Sequence, residues 1–308
     1  MVRPMNVAIL SRGPNLYSTR RLVSVARRRG HSVDIYDVNR LSLSIAGGVP
    51  HVYEDEYEVP VPDAVIPRIA APTTFQGLLV LRHFEMAGAI PVNCADAIAN
   101  ARDKLRSLQL LCKKNVPMPD TAFSPEPHAD DAALDDLGDG QIVIKLLSGT
   151  QGRGVMLAPS RAAATAIMDA FQQIDGQILA QRFVAESSGR DIRAFVVGRE
   201  VVAVMERSSS NGDFRSNLHQ GGSARRVPLT RAIERIATRA SRALGLDVAG
   251  VDLLVGKDGP LVIEVNPSPG LEGIERATGV NVAGRVIDHM ESLLAPSGTY
   301  RPRLRLHA

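Results

Sequence analysis

"GPLVIEVNPSPGLEG", residues 259–273, reads as an apolar strand that carries a carboxylate and an amide just before two prolines stop it. Period-two alternation sets Leu261, Ile263 and Val265 on one face and Val262, Glu264 and Asn266 on the other. A buried carboxylate without a partner costs several kcal/mol, so something must compensate Glu264. Upstream, "AGVDLLV" (249–255) is a second apolar strand, and "GKDG" between the two is a turn signal. A hairpin turning symmetrically about Asp258 sets Asp252 opposite Glu264, about 5 Å apart at Cβ. Asn266 adds an amide oxygen on the same face. Two carboxylates and an amide are hard oxygen ligands, suited to Mg2+ or Mn2+ rather than zinc. The plainer alternative sends one carboxylate to solvent and pairs the other with an arginine.

Magnesium held by a few protein oxygens keeps positions open for phosphate, so a nucleotide site is expected nearby. There is no G-x-x-x-x-G-K-[ST] and no kinase H-R-D or D-F-G set. What remains is "SGTQGRG" (148–154), three glycines in seven residues, directly after the strand "QIVIKLL" (141–147) that carries Lys145. Such a loop can lay backbone N–H groups over phosphates, although most glycine-rich hairpin loops are only turns.

Working outward, "MNVAIL" (5–10), a helix over "STRRLVSVARRRG" closed by Gly30, and "SVDIYDV" (32–38) make a βαβ opening. No G-x-G-x-x-G follows the first strand, which argues against a dinucleotide site there. "DAVIPRI" (63–69) is a further strand. Residues 101–115 read as one amphipathic helix, ended by Pro117 and Pro119. The acidic stretch 124–140 reads as loop and short helix. "VMLA" (155–158) is a return strand, 160–173 a helix and "QILAQRFV" (177–184) a strand. Residues 191–207 form a strand pair turning at Gly198 and Arg199, and 208–222 a polar loop. Thr230 caps a helix that runs to Leu244 and stops at Gly245.

The chain has 308 residues, 44% hydrophobic and 22% charged, with net charge +3. That length calls for two or three domains. So small a charge argues against nucleic-acid binding dominated by phosphate neutralisation. No apolar run approaches a membrane span or a signal peptide, so a cytoplasmic protein without a membrane partner is expected. Cys94 and Cys112 form no C-x-x-C pair and read as reduced, buried thiols. Basic residues are 31 Arg against 5 Lys, which singles out Lys104 and Lys145.

Seven segments, in order, resemble the RimK-type ATP-grasp ligases: "AILSRGPNLYSTRRL", "DAVIPRI", "ARDKLRSLQLL", "VIKLLSGTQGRGV", "DFRSNLHQGG", "AGVDLL" and "VIEVNPSPGLEGIE". The similarity runs from about Met5 to about Leu294. It implies an α/β ATP-grasp architecture: a Rossmann-like pre-ATP-grasp domain (1–98), a central lid (99–187) and a C-terminal α+β domain with the metal site (188–296). Residues 297–308 are expected to be a disordered tail. The implied reaction is ATP-dependent addition of L-glutamate to the C-terminal tail of a small-subunit ribosomal protein, through an acyl phosphate, with two Mg2+ or Mn2+ ions. A homo-oligomer, a tetramer by resemblance, is implied as well.

The resemblance also implies residue roles. Lys104 and Lys145 match nucleotide-binding lysines, although Lys104 also reads as a solvated helix residue. Ser148, Gly149, Gly152 and Gly154 match the phosphate loop. Main-chain groups at Arg182 and Phe183 match the adenine edge, where the family more often has an acidic residue at the Arg182 position. Asp191 matches the ribose-binding acid; its alternative is a surface aspartate pairing with Arg190 or Arg193. Arg215, Ser216 and Asn217 match a nucleotide and phosphate contact segment, with Arg215 and Asn217 nearest the transferring phosphoryl group. Asp252, Glu264 and Asn266 match the metal ligands. Arg68 and Arg193 are candidates for the substrate carboxylates, because an arginine fork matches a carboxylate bidentately, and either also fits a structural ion pair. Arg207 lies near the same expected cleft. His219 reads as a loop histidine or an acceptor of the amine proton. Two rival readings remain: the same ligase chemistry on a small-molecule or poly-glutamate acceptor, and a non-catalytic ATP-sensing module.

Overall fold

Continuous burial marks the first strand, β1 (Asn6–Ser11), as one covered on both faces. Helix α1 (Tyr17–Arg28) crosses over and β2 (Ser32–Tyr36) returns parallel to β1, the expected βαβ opening. The computed structural model describes residues 3–124, 132–147, 154–173, 176–209, 214 and 222–295. Residues 41–58 add a small antiparallel sheet, β3 (Leu41–Ala46), β4 (Val49–Glu54) and β5 (Tyr57–Glu58), with no counterpart among the expected elements. Strand β6 (Ala64–Arg68), helix α2 (Thr74–Met86) and β7 (Ile90–Pro91) complete a parallel sheet of order β2-β1-β6-β7. Strands β1 and β6 end together at Ser11 and Arg68. The carboxyl ends of such strands form the crevice where ligands bind in open parallel sheets.

The single helix expected over 101–115 is two: α3 (Ala95–Arg102) and α4 (Lys104–Lys113). Asp103 between them is extended, and its Oδ1 accepts the Arg106 N–H at 2.9 Å. A capping aspartate satisfies a donor that a continuous helix would have bonded internally, so the break costs little. Arg102 thereby closes one helix and Lys104 opens the next. Cys112, expected buried, is exposed on α4, while Cys94 is partly buried.

A second, antiparallel sheet of order β10-β9-β11-β8 follows, built from β8 (Thr121–Ala122), β9 (Ile142–Leu146), β10 (Val155–Ala158) and β11 (Ile178–Arg182). Short helix α5 (Ala132–Asp135) and α6 (Arg161–Gln172) cover one face, where Leu134, Ile142, Ile144 and Met168 form a core. Alternation sends Lys145 to the opposite face.

The third sheet has order β14-β13-β12-β15-β16: β12 (Arg190–Val197), β13 (Glu200–Ser208), β14 (Ser223–Arg226), β15 (Val248–Gly256) and β16 (Gly259–Asn266). Helix α7 (Arg231–Leu244), capped by Thr230, packs Ile233, Ile236 and Leu244 on one face. Helices α8 (Glu272–Thr278) and α9 (Val282–Leu293) fill the other side together with β1 and α1.

The β15–β16 hairpin turns through Lys257 and Asp258, between the paired Gly256 and Gly259, and not symmetrically about Asp258. That register alone would set Asp252 opposite Ile263. A β-bulge shifts it by one residue, so Asp252 faces Glu264 and Gly250 faces Asn266, as expected, while Leu253 pairs with Val262. The same bulge overturns the expected grouping of Val262 with Glu264. Val262 turns into the α7 core beside Val265.

The N-terminal sheet is fastened to the third sheet by one buried side chain, Asn93. Its Nδ2 donates to the carbonyls of Val248 (2.7 Å) and Pro267 (3.0 Å). Its Oδ1 accepts the N–H groups of Asp247 (2.8 Å) and Val248 (2.9 Å). Glu275 adds a second tie, accepting from Tyr17 and Arg21 of α1 and from the Ala283 N–H. An unpaired buried polar group costs about 1–3 kcal/mol. Asn93→Ala, which strands several at once, is expected to lower unfolding stability by about 3 kcal/mol, read as the urea midpoint. A loss below about 1 kcal/mol would show that this clamp is not needed.

Candidate active site

One face of the third sheet changes character along its strands. On β12 the inward residues run Val197, Phe195, Arg193, Asp191. On β13 they run Ala203, Met205, Arg207, and on β15 Val248, Gly250, Asp252. The apolar end packs on α8 and α9, and the ionic end is left to line a cleft. Pro269 lies over Gly250 so closely that a Cβ there would sit 2.8 Å from the proline Cβ. Gly250 therefore lets the 267–271 loop lie flat against the sheet.

The ionic end forms a chain of two arginines and two aspartates. Arg193 holds Asp252 with both fork nitrogens, Nε to Oδ1 at 2.7 Å and Nη2 to Oδ2 at 2.6 Å. Arg207 reaches Asp252 Oδ2 at 2.9 Å and holds Asp191 bidentately at 2.6 Å on both oxygens. Burial opposes ionisation of Asp252, yet the two arginines outweigh it and hold its carboxyl below the usual range. Burial likewise works against the Arg207 charge, and Asp252 and Asp191 more than reverse it. Asp191 thus pairs with Arg207 rather than standing as a surface aspartate. Arg193, a candidate for a substrate carboxylate, is committed here to Asp252.

Glu264 is treated differently. It is exposed, on the strand next to Asp252, and among the described residues it makes no hydrogen bond or ion pair. Around it gather cations. Lys145 donates from Nζ to Gln181 Oε1 at 2.6 Å. Burial pulls its ammonium down to about 8; Glu264 works against that shift, and Lys104 adds to it. Lys104 opens α4 and reaches across to the carbonyls of Leu146 (2.5 Å) and Leu147 (3.1 Å) at the end of β9. Its pKa is lowered by burial, partly countered by Glu264. Arg102, unremarkable as a sequence position, is half-buried and senses the same carboxylate. Arg68 sits at the end of β6 beside Arg102.

Among the described residues no three acidic, histidine or cysteine side chains converge on a metal-sized site. The donor set that faces the cleft is Asp252, Glu264 and Asn266. Asp252 accepts three N–H bonds from two arginines, and a carboxylate has about four acceptor positions. Asn266 Oδ1 accepts the Ser268 N–H at 2.9 Å. Glu264 is uncommitted. With Asp252 paired to arginines and Glu264 open, the carboxylates adopt the plainer arrangement raised by the sequence, and the three donors fit a hard divalent ion in kind.

The other expected site residues divide. Arg182 is exposed, and its guanidinium holds the carbonyls of Asp136 and Leu137 and the Asp120 carboxylate. That structural duty accounts for a basic residue at this position. The N–H groups of Arg182 and Phe183 already donate to the Asp120 and Gln141 carbonyls, so neither offers a backbone donor to a base. The Phe183 ring meets Phe214 edge to face. Gly154 has φ +73°, and a Cβ there would lie 2.6 Å from Leu146, so glycine is required where the loop rejoins β10. Ser148, Gly149, Gly152, Arg215, Ser216, Asn217, His219 and the 297–308 tail lie outside the described residues.

Comparison with known proteins bears on this arrangement. The family model for the RimK-like ATP-grasp domain matches residues 101–290, and that for the RimK pre-ATP-grasp domain matches residues 5–98. A protein of Aliivibrio salmonicida (strain LFI1238) named probable alpha-L-glutamate ligase is 50% identical over 295 residues, covering 96% of this chain and 98% of that protein. A protein of the same name from Picosynechococcus sp. (strain ATCC 27264 / PCC 7002 / PR-6) is 48% identical over 295 residues, with the same 96% and 98% coverage. Among solved structures, the ATP-grasp ligase PsnB, complexed with a phosphomimetic variant of its minimal precursor, Mg and ADP, superposes with TM-score 0.72 at 20% identity, covering 96% of this chain and all of that one. The RimK domain protein ATP-grasp of Sphaerobacter thermophilus DSM 20745 gives 0.68 at 23% identity, covering 92% and 99%. At these identities the two structures speak to the fold.

The Lys145 environment yields a signed test. An unfolded lysine keeps its proton to about 10.4, whereas the folded one releases it near 8. Between those values the unfolded state binds more protons, so the contribution of Lys145 to stability is unfavourable below pH 8 and recovers as pH rises. From pH 7.5 to 10, wild type is expected to gain about 2 kcal/mol relative to Lys145→Met in urea unfolding. A flat difference would contradict the buried-cation assignment.

Proposed function

The chain belongs to the RimK-like ATP-grasp family, an ATP-dependent ligase family, and from that membership we propose that it joins the amino group of L-glutamate to a carboxylate acceptor. The observation that carries this reading is the uncommitted Glu264 facing Lys104 and Lys145 across a cleft walled by Asp252. Such an excess of cations calls for a polyanion, and a single free carboxylate beside a second one calls for a divalent ion on that polyanion. ATP with Mg2+ or Mn2+ meets both demands. The relatives' names, probable alpha-L-glutamate ligase, supply the amine.

In the proposed reaction an acceptor carboxylate oxygen bonds to the γ-phosphorus of ATP as the bond to the β-phosphate bridging oxygen breaks. Acyl phosphate and ADP result. The glutamate amine then attacks the acyl carbon, phosphate leaves, and the amine proton passes to solvent or a nearby base. Metal ions, when bound, neutralise the β- and γ-phosphate oxygens. Asp252, Glu264 and Asn266 would hold them. Lys145 and Lys104, from two different elements, fix the phosphates from one side. Arg193 and Arg207 keep Asp252 ionised and oriented. No residue needs to be a covalent nucleophile. Arg215 and Asn217 keep the roles the resemblance gives them at the transferring phosphoryl group.

The acceptor proposed is the C-terminal tail of a small-subunit ribosomal protein. A modest net charge of +3 suits recognition of a protein tail better than binding of RNA. Among the described residues no helix is long and apolar enough to cross a membrane.

The deciding experiment is an amino-acid panel with ATP, Mg2+ and an acidic peptide, read as ADP and as product mass. Glutamate is expected to support turnover at least tenfold faster than lysine, alanine or glycine, with a mass gain of one or more glutamyl residues. Equal use of neutral or basic amino acids would overturn glutamate as the substrate and leave the ligase class standing.

A further inference from the structure

Two arginines at the carboxyl edge of the parallel sheet carry charge that no described carboxylate pairs with. Arg68 closes β6 and Arg102 closes α3. The Nε of each is buried and has no hydrogen-bond partner among the described residues. Arg102 donates once, from Nη2 to the Ile69 carbonyl at 2.8 Å, which fixes it next to the residue that follows Arg68. The one described charge acting on Arg68 is Arg102 itself, another cation, and burial with that repulsion pulls the Arg68 guanidinium down to about 10. Buried polar groups are ordinarily satisfied, and an arginine placed for structure has its fork occupied, as Arg193 and Arg207 do on the third sheet. Two neighbouring guanidiniums, each with a buried Nε left without a partner among the described residues, suit an anion.

Position separates this pair from the phosphate lysines. Lys145, Lys104 and Arg102 all sense Glu264, whereas Arg68 senses only Arg102. Arg68 ends a strand of the first sheet and Arg102 is held at that edge by the Ile69 carbonyl, whereas Lys145 lies on a strand of the second sheet. A planar fork matches a carboxylate bidentately, and two forks side by side discriminate a carboxylate from its amide.

We propose that Arg68 and Arg102 together bind the non-reacting carboxylate of a glutamyl group and set the preference for glutamate over glutamine. This rests on the ligase reading above. The glutamyl group is either free glutamate or the last residue of the acceptor, and the assay separates the two.

The test uses the full chain with Arg68→Gln and Arg102→Gln, measuring ADP formation while glutamate, a peptide ending in glutamate, and ATP are varied in turn. The KM for one glutamyl substrate is expected to rise at least tenfold in each variant, with the ATP KM within twofold of wild type. In the same arm, preference over glutamine, or over a peptide ending in glutamine, is expected to fall at least tenfold. A shift confined to free glutamate assigns the pair to the amine donor, and a shift confined to the peptide assigns it to the acceptor. Unchanged glutamyl KM values, an equal rise in the ATP KM, or intact discrimination against glutamine would each overturn the proposal. Should Arg102→Gln fail to fold because the Ile69 contact is lost, Arg68→Gln carries the test. Wild type that forms no ADP in response to glutamate would instead fail the ligase reading, and this proposal with it.

Discussion

A single extra residue in β16 decides which chemistry the cleft holds. The two-residue turn at Lys257 and Asp258 would pair Asp252 with Ile263. The bulge pairs it with Glu264, and the placement of both Glu264 and Asn266 depends on that shift. A one-residue slip turns a strand's side chains to the opposite face. Here the slip is local: it sends Val262 into the α7 core and keeps Glu264 and Asn266 on the cleft side. Both halves of the strand are thereby satisfied, one in apolar packing and one at the site.

Like charges on neighbouring strands are unfavourable, and the fold treats the two carboxylates unequally. Asp252 is neutralised by Arg193 and Arg207, and Arg207 is balanced in turn by Asp191. That chain is closed and rigid. Glu264 stands outside it, facing Lys104, Lys145, Arg102 and, farther out, Arg68. Burial lowers the pKa values of Lys145, Lys104, Arg102 and Arg68, so keeping these groups charged costs folding free energy. The clamps formed by Asn93 and Glu275 hold the first sheet against the third, so that the cations of one meet the carboxylates of the other. Stability supplied at that junction offsets what those desolvated cations cost.

Much of this was legible in the sequence, for physical reasons. Strands β15 and β16 announce themselves by alternation and by the "GKDG" turn, and paired carboxylates on apolar strands demand an explanation wherever they occur. Lys145 stands out because an apolar strand places it and lysines are scarce. The Thr230 cap and the Gly245 stop follow from short-range chemistry. The rest depended on tertiary contacts. Nothing local distinguishes a helix running through Asp103 from one interrupted there, so Arg102 passed unnoticed. The bulge depends on α7 receiving Val262. Asn93 is an ordinary polar residue until the carbonyls of Val248 and Pro267 meet it. Arg182 looked like a departure at a nucleotide edge, and its partners, Asp120 and the carbonyls at 136 and 137, explain it as a strut.

The central claim is that Glu264 supplies the metal side of a polyanion cleft. It is tested most directly by calorimetric titration of ADP into wild type and Glu264→Ala, each with and without Mg2+. Wild type should bind ADP at least tenfold more tightly with Mg2+ than without. Removing this carboxylate from among the cations should strengthen metal-free ADP binding and abolish the Mg2+ enhancement. A variant that keeps the full enhancement, with metal-free affinity unchanged, would contradict the account.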